Sequence, residues 1–300
     1  MDSARWKGHP FLLMCLFALH QGCSVLPEPY LVSGPEPLPT TANTVRPCEP
    51  NLLERFPTDI KNALSPLDPA GFNLMNWNML KGRRQGWRKD FFRLSRGSDV
   101  ILLQEAYLSD ELRNTLSSAK SNWNLATSVR YYGRESGVLT ASEIAPEVIC
   151  VHRFDEPLLN TPKTSLFTRF SILPQQPHLV IVNVHAINFT IDAASYRKYW
   201  QELEIILEPH NGPLIVAGDF NTWNTERLAI VTMVARRLRL QPVRFEPDRR
   251  SRFFGQIVDH VYYRGLVPSN AVVHEVATSD HNPIQVNFKL VEANSKEVGR

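Results

Sequence analysis

Short polar clusters follow apolar segments at four places along the 300-residue chain. They are Asn76-Trp77-Asn78, the acid Glu105 after Leu102-Leu103-Gln104, Gly218-Asp219-Phe220-Asn221, and Asp280-His281. Hydrolysis of a phosphoester needs carboxylates, amides and imidazoles that converge on one phosphate and one metal ion. A purely structural protein does not need so many strands that end in Asp, Asn, Glu and His. The clusters therefore predict a phosphoryl-transfer site.

Each of these residues also has a plain structural explanation when it is taken singly. Asn78 is equally typical of a turn, and His185 after Val180–Val184 could be a core histidine with satisfied hydrogen bonds. Glu105 is more informative, because an acid at the end of so apolar a strand needs a partner or a metal if it is buried. Asp219 and Asn221 are two residues apart, so they share one side of an extended segment.

Many short strands and few helices must position these residues. The strand candidates are Phe72–Trp77, Val100–Gln104, Asn124–Ser128, Gly137–Ala141, Val148–His152, Ser165–Arg169, Leu179–Val184, Pro213–Ala217, Ile257–Tyr263, Ala271–Val276 and Ile284–Phe288. The helix candidates are Trp87–Ser95, Asp110–Ala119, Ala193–Leu207 and Thr225–Leu238, with Ser109 and Asn224 as N-caps for the second and fourth. Strands do not alternate strictly with helices, which favours two packed mixed sheets with helices outside.

Composition divides the chain into four parts. Residues 1–23 carry Arg5 and Lys7 before a short apolar run, which is typical of a secretory signal and too short to span a bilayer. Residues 24–70 contain ten of the 22 prolines and predict an extended, polyproline-like linker. Residues 71–292 are predicted to form one catalytic domain, and residues 293–300 a polar tail that frays.

The N-terminus and the cysteines bear on the cellular compartment. Gly22-Cys23 resembles the end of a bacterial lipoprotein signal, although residues 20–21 depart from its usual pattern. We therefore expect export, to the periplasm or as a lipoprotein whose Cys23 anchors it to a membrane; a cytoplasmic enzyme is the alternative. Cys48 and Cys150 could pair in an oxidising compartment, but two isolated cysteines say little.

The charge of the chain is uneven. The net charge is only +3, yet nine Arg and four acidic residues lie between Thr225 and Gly265. Such a segment is either a solvated surface or a positive rim that attracts a phosphate-bearing substrate.

The order of the polar landmarks resembles the endonuclease/exonuclease/phosphatase superfamily, which includes DNase I, repair nucleases and sphingomyelinases. The resemblance covers residues 71–289. The stretches Trp77-Asn78-Met79, Val182–Phe189 and Ala217–Trp223 resemble the bacterial YafD-type branch in particular. The resemblance implies a DNase I-like α/β fold, a four-layer α/β/β/α sandwich of two mixed β-sheets. It places the active site at one edge, where strand ends meet.

The same resemblance implies roles for individual residues. Glu105 and Asp280 would bind the metal, which is expected to be Mg²⁺ with Mn²⁺ as an alternative. Asn78 and Asn188 would bind phosphate. The implied catalytic residues are His185, Asp219, Asn221, Asp259 and His281, with Asp259 fixing the tautomer of His281. Whether Asp219 or His281 deprotonates the water is left open.

Two positions depart from the family pattern. Leu80 stands where some nucleases have a metal-contacting Asp, so metal binding would rest on fewer carboxylates. His185 replaces a Tyr-Val-Pro-Asn segment of the repair nucleases, which argues against abasic-site repair.

The function expected from these observations is hydrolysis of a phosphodiester by a metal-dependent phosphodiesterase or nuclease, with nucleic acid as one potential substrate. The alternatives are a sphingomyelinase-like phospholipid phosphodiesterase and a catalytically inactive binding module. Retention of Glu105, Asp219, Asn221, Asp259 and His281 counts against the inactive module. No protein partner can be inferred from the sequence.

Overall fold

The computed structural model describes residues 23–25, 30–34, 46–55, 66–159, 161–172, 178–190 and 192–291. The predicted leader lies outside the described residues apart from Cys23, and so does the tail, residues 293–300. None of the helices in the described ranges is long and apolar enough to cross a membrane.

Sixteen strands and five α-helices make up the described chain. The strands are β1 (Cys23–Ser24), β2 (Tyr30–Gly34), β3 (Phe72–Asn78), β4 (Val100–Tyr107), β5 (Asn122–Tyr131), β6 (Arg134–Ser142), β7 (Val148–Asp155), β8 (Pro162–Phe170), β9 (Leu179–His185), β10 (Leu214–Asp219), β11 (Gln241–Pro242), β12 (Arg252–Phe253), β13 (Gln256–Ile257), β14 (Asp259–Arg264), β15 (Leu266–Val273) and β16 (Ile284–Leu290). The helices are α1 (Leu52–Arg55), α2 (Trp87–Ser95), α3 (Asp110–Ala119), α4 (Ala193–Leu207) and α5 (Thr225–Arg237), and Leu80–Gly82 form a 3₁₀ turn.

The strands form two mixed sheets and one small hairpin. The first sheet has eight strands in the order β1-β5-β6-β4-β3-β16-β15, with β2 also paired to β5. The second has six strands in the order β11-β14-β10-β9-β8-β7, and β12 pairs with β13 in the hairpin. In each large sheet one central pair is parallel, β3 with β4 and β9 with β10, and its neighbours are antiparallel.

Apolar residues on both faces of the central strands create the layers. In β4, Leu102 packs between the sheets together with Ile181 and Ile215 of the second sheet. Its neighbour Leu103 points to the other face, where it packs under helices α2 and α3. Helices α4 and α5 cover the outer face of the second sheet in the same way. Because successive strand residues alternate between faces, these strands are buried on both sides, which confirms the four-layer sandwich.

The segment before the catalytic domain packs on it wherever it is described. Residues 30–34 pair with β5, and Leu53 is buried in the core with α4 and α5. Cys48 forms a disulfide with Cys150 of β7, across 102 positions of sequence. The prediction of an unpacked linker over residues 24–70 is therefore wrong for these residues, because backbone pairing and the disulfide fix them to the sandwich.

The predicted helices agree with the structure almost residue for residue. Ser109 and Asn224 are N-caps, and their side chains accept hydrogen bonds from the backbone N–H of Leu112 and Arg227. The predicted strand Ile257–Tyr263 is instead two strands, β13 and β14, which belong to different sheets. The predicted strand Ala271–Val276 begins and ends earlier, at Leu266 and Val273.

Candidate active site

Three site residues lie side by side across the second sheet. Asp219 ends β10, and its register partners are His185, which ends parallel β9, and Asp259, which begins antiparallel β14. Gly218 makes this row possible, because a Cβ at this position would lie 1.9 Å from the carbonyl oxygen of Val184. Its φ of 145° also suits glycine best.

The carboxylate of Asp219 is the centre of the site. Its Oδ2 atom accepts a hydrogen bond from Asn78 Nδ2 at 3.1 Å, so it is joined to the end of β3 in the other sheet. The same oxygen lies 3.7 Å from His185 Nε2 and 3.8 Å from His281 Nε2. Two sheets and the segment before β16 therefore converge on one oxygen.

His281 is held by a buried acid. Asp259 Oδ2 lies 2.8 Å from His281 Nδ1, and Asp259 is 1% exposed. Burial disfavours the imidazolium, but the charges of Asp259 and Asp219 outweigh burial and raise the pKa of His281 to about 10. His281 is therefore protonated at neutral pH, and its Nε2 atom lies 3.8 Å from Asp219 Oδ2.

The buried surroundings of Asp219 raise its pKa above that of an exposed aspartate. Burial raises the pKa of Asp219 to about 6; the charge of His281 opposes this increase and that of Asp259 reinforces it. The backbone N–H of Asn221 donates to Asp219 Oδ1 at 2.9 Å, and Asn221 Nδ2 donates to the carbonyl of Ala186. Asp219 is thus an oriented carboxylate whose pKa lies close to neutral pH, as a general base requires.

Glu105 lies near the end of β4 and is paired with a lysine. The ammonium of Lys81, in the 3₁₀ turn after β3, donates to Glu105 Oε2. Burial opposes ionisation of Glu105, but the charges of Lys81 and Lys163 and the hydrogen bond from Lys81 prevail and hold its pKa far below the ordinary value. Glu105 is therefore a carboxylate at all physiological pH values, and Lys81 is the cation that forms an ion pair with it.

His185 has the opposite protonation state from His281. Burial lowers its pKa well below the ordinary value, and the adjacent Lys163 acts in the same direction. Lys163 Nζ lies 3.0 Å from His185 Nε2, so the ammonium donates to the neutral imidazole. His185 is therefore a buried histidine whose partner is a second lysine of the site, and its catalytic role stays a prediction.

Asn188 lies in the loop after β9, where its position is fixed by several contacts. The backbone N–H of Asn188 donates to Glu156, and the indole N–H of Trp223 donates to Asn188 Oδ1 at 2.9 Å. The guanidinium of Arg227 donates to the Asn188 carbonyl at 2.8 Å. The side-chain oxygen of Asn188 is therefore already engaged by Trp223.

Asp280 is placed differently from the other acids. Its Oδ1 atom accepts a 3.4 Å hydrogen bond from Ser279, and its charge helps to raise the pKa of His281. Within the described part of the chain, no three Asp, Glu, His or Cys side chains come together as a metal-binding group. The metal roles of Glu105 and Asp280 stay predictions.

Sequence reasoning missed the two lysines and the role of Arg227. Lys81 follows Asn78 by three residues, and Lys163 lies near the start of β8; neither position carries a sequence signal for its partner. Arg227 belongs to the arginine-rich segment that the sequence predicts to be a surface, but it is 2% exposed. Arg250 and Arg264 of the same segment also donate to backbone carbonyls, whereas most of the others are exposed.

The sequence and fold can be compared with those of known proteins. The chain is 37% identical over 226 residues to a UPF0294 protein of Vibrio campbellii, a match that covers 75% of this chain and 80% of the relative. Among solved structures, the catalytic domain of human Nocturnin with a bound sulfate anion matches with a TM-score of 0.58 at 18% identity, over 76% of this chain and 97% of that one.

ANGEL2, a 2',3'-cyclic phosphatase solved with adenosine-2',3'-vanadate, matches with a TM-score of 0.56 at 14% identity, over 76% of this chain and 98% of that one. At these identities the two structural matches show the fold alone. The family model of the endonuclease/exonuclease/phosphatase family matches residues 75–281, a range that runs from the start of the Asn78 cluster to His281. Since that range also contains Glu105, Asp219 and Asp259, the chain belongs to the endonuclease/exonuclease/phosphatase family, which includes metal-dependent phosphoesterases and nucleases.

Proposed function

We propose that this protein is a metal-dependent phosphodiesterase, with nucleic acid or a nucleotide as its first candidate substrate. The observation that carries the proposal is the environment of Asp219 Oδ2, which faces one amide and two imidazoles at 3.1 to 3.8 Å. A buried carboxylate with a raised pKa beside a protonated histidine is the pair that acid–base chemistry at a phosphate requires.

The donor set at Glu105 fits a divalent cation bound through few protein ligands. Mg²⁺ keeps several waters and is commonly held by one or two carboxylates together with substrate phosphate. Glu105 is ionised and partly exposed, and an ammonium already lies on its Oε2 atom, so this carboxylate is a position that favours positive charge. Mg²⁺, or Mn²⁺ in its place, would be held by Glu105, with Asp280 as a further candidate ligand. It would neutralise charge on the phosphoryl oxygens.

Residues of the chain itself activate the attacking water and stabilise the charge that develops on the phosphoryl group. Asp219 orients the attacking water and takes its proton, because His281 is already protonated and cannot accept one. The imidazolium of His281 and the ammonium of Lys163 stabilise the negative charge that develops on the phosphoryl group. Asn78 and Asn221 hold Asp219 and its loop in place. The bond to the leaving oxygen breaks as the water oxygen bonds to phosphorus.

Two observations support a nucleotide-type substrate. ANGEL2, which shares the fold, was solved with adenosine-2',3'-vanadate. Six arginines of the segment between residues 236 and 252 are exposed on this protein and could attract a polyanion. A phospholipid remains the competing substrate.

We also propose that the protein is exported. Disulfides persist in oxidising compartments and are rare in the cytosol, so the Cys48–Cys150 bond supports the periplasm or a membrane-anchored location. A lipid anchor on Cys23 belongs to the same proposal.

Hydrolysis of bis-p-nitrophenyl phosphate by the purified full-length chain tests the function. We expect activity with Mg²⁺ and its loss with EDTA. The variants Asp219→Asn and His281→Ala should each lower turnover by at least about 10²-fold, the usual effect of removing one preorganised group. Both variants should keep the circular dichroism spectrum of the wild type.

Matched substitutions away from the site provide the controls. Asp155→Asn and His274→Ala change the same residue types and should leave turnover unchanged. Undiminished turnover in either site variant would refute the assignment. Parallel assays on plasmid DNA, single-stranded oligonucleotides and choline phospholipids, each with His281→Ala as the blank, then decide the substrate class.

A further inference from the structure

The ion pair of Lys81 and Glu105 occupies the position at which the proposed metal would bind. The two side chains are 26% and 23% exposed, so water and small ions can reach both. A lysine ammonium is a compact point charge on a flexible stem. Unlike a guanidinium, it has no rigid pair of N–H groups that can bind both oxygens of a carboxylate. The contact is therefore one that a competing cation could replace.

The backbone on both sides of this pair is in an unusual conformation. Leu80, Lys81 and Gly82 have φ values of 50°, 59° and 63°, all in the left-handed region. Glu105 has a φ of 50°, at a bulge where β4 loses register with β6. Non-glycine residues adopt this region rarely, and such conformations concentrate at functional sites. Lys81 and Glu105 are thus both held in backbone conformations that cost free energy.

The turn that carries Lys81 is tied to the catalytic carboxylate. Asn78 Oδ1 accepts a 3.2 Å hydrogen bond from the backbone N–H of Leu80, and Asn78 Nδ2 donates to Asp219 Oδ2. One amide therefore fixes both the turn and the general base. The Cα of Lys81 is held in place by this link, and the freedom that remains lies in its side chain.

A cavity of about 290 Å³ adjoins Lys81. Its lining includes the aromatic residues Trp87, Tyr107 and Tyr131 and the charged residues Arg83 and Glu111. Aromatic faces and a carboxylate attract cations, and the guanidinium of Arg83 already lies 5.9 Å from the Tyr131 ring. Because Lys81 lines this cavity itself, its ammonium could enter the cavity by rotation about side-chain bonds alone.

We propose that Lys81 is a displaceable counter-ion of Glu105, which it releases to an incoming divalent cation while its own side chain turns into this cavity. This inference rests on the proposed function, since it concerns the same carboxylate. Without metal, Lys81 holds the Glu105 carboxylate in position and neutralises its charge. With metal, Lys81 leaves, and the affinity for the metal is reduced by the free energy of breaking the ion pair.

Direct measurement of Mn²⁺ binding tests this competition without any turnover. Free Mn²⁺ is titrated with the full-length protein and followed by electron paramagnetic resonance. Lys81→Met removes the competing charge, so we expect Mn²⁺ to bind at least about tenfold more tightly than to the wild type, a difference of ~1.4 kcal/mol. Lys81→Arg keeps a cation with a better fork for Glu105 and should bind Mn²⁺ more weakly than the wild type.

Two further variants complete the experiment. Lys89→Met removes an exposed lysine of α2 and should leave the Mn²⁺ affinity unchanged, and Glu105→Gln should abolish binding. Equal affinities of the wild type and Lys81→Met, weaker binding by Lys81→Met, or no Mn²⁺ binding by any variant would each overturn the inference. Hydrolysis of bis-p-nitrophenyl phosphate is scored separately, so an active enzyme with unchanged Mn²⁺ affinity refutes the role of Lys81 and leaves the proposed function standing.

Discussion

Asp259→Asn removes one charge from the site and keeps the side-chain volume. In the wild type, burial disfavours the protonated form of His281, yet the hydrogen bond and charge of Asp259, together with Asp219, raise the pKa of His281 to about 10. Asparagine cannot supply that charge. We therefore expect the pKa of His281 to fall at least to the ordinary imidazole value.

The size of the effect on turnover follows from the protonated fraction. If the pKa of His281 returns to about 6.5, the protonated fraction at pH 8 falls from about 99% to about 3%. Because the mechanism needs the imidazolium, turnover at pH 8 should drop about 30-fold, whereas at pH 5.5 the loss should stay below about twofold. A merely structural role for Asp259 would give the same loss at both pH values.

The assay is the pH dependence of turnover on bis-p-nitrophenyl phosphate. Asp219 must be deprotonated, and its pKa is raised to about 6, so wild-type activity should rise with pH through about 6 and fall as His281 loses its proton near 10. In Asp259→Asn the falling limb should move towards neutral pH. The rising limb should move to lower pH, because the charge of Asp259 helps to raise the pKa of Asp219.

Protein stability provides a second measurement on the same variant. The pKa of His281 is higher in the folded chain than the ordinary value of the unfolded chain, so its proton stabilises the fold. That contribution, on the order of 5 kcal/mol, is complete below pH 6.5 and is lost as the pH rises through about 10. The stability difference between wild type and Asp259→Asn should shrink over that range. The control Asp155→Asn should show the pH dependence of turnover of the wild type. If Asp259→Asn showed that same pH dependence, the reasoning would be refuted.

Two further predictions concern the framework of the site. Arg227→Met removes a buried guanidinium that makes four hydrogen bonds to the loops after β9 and β10; we expect the free energy of unfolding in urea to fall by at least about 3 kcal/mol. The exposed Arg237→Met should change it by less than about 0.5 kcal/mol, and similar losses would contradict the structural role. The double variant Cys48→Ser/Cys150→Ser opens a link across 102 positions, so it should lose about 5 kcal/mol under the loop-entropy model. Reduced wild type should unfold at the same urea concentration as this variant; equal stability of reduced and oxidised wild type would count against the disulfide.

The elements that the sequence predicts well are those with local signals. Helix α3 begins where Ser109 caps it, and α5 begins where Asn224 does, because both caps act within three residues. The central strands are also predicted, since apolar runs such as Val100–Leu103 are buried on both faces. The order of the site landmarks is likewise visible, because Asn78, Glu105 and Asp219 lie at or near the ends of such strands and His281 lies just before one.

The elements that escaped prediction depend on contacts between distant segments. The strand Tyr30–Gly34 lies in a proline-rich segment and is stabilised by its pairing with β5. Arg227 has the sequence context of a surface arginine on a helix; its burial depends on the rings of Tyr196 and Trp223, whose centres lie 4.5 and 4.3 Å from the guanidinium carbon. Lys163 meets His185 only because β8 pairs with β9.

The charges of the site explain why metal and substrate should bind together. Lys81, Lys163 and protonated His281 carry three positive charges, against four negative charges on Glu105, Asp219, Asp259 and Asp280, so the site without ligands carries one negative charge. A divalent cation alone would leave one positive charge, and a phosphodiester alone would raise the negative charge to two. When both bind, the charges cancel. Each ligand therefore lowers the electrostatic cost of the other, and thermodynamic linkage requires that the two affinities rise by the same factor.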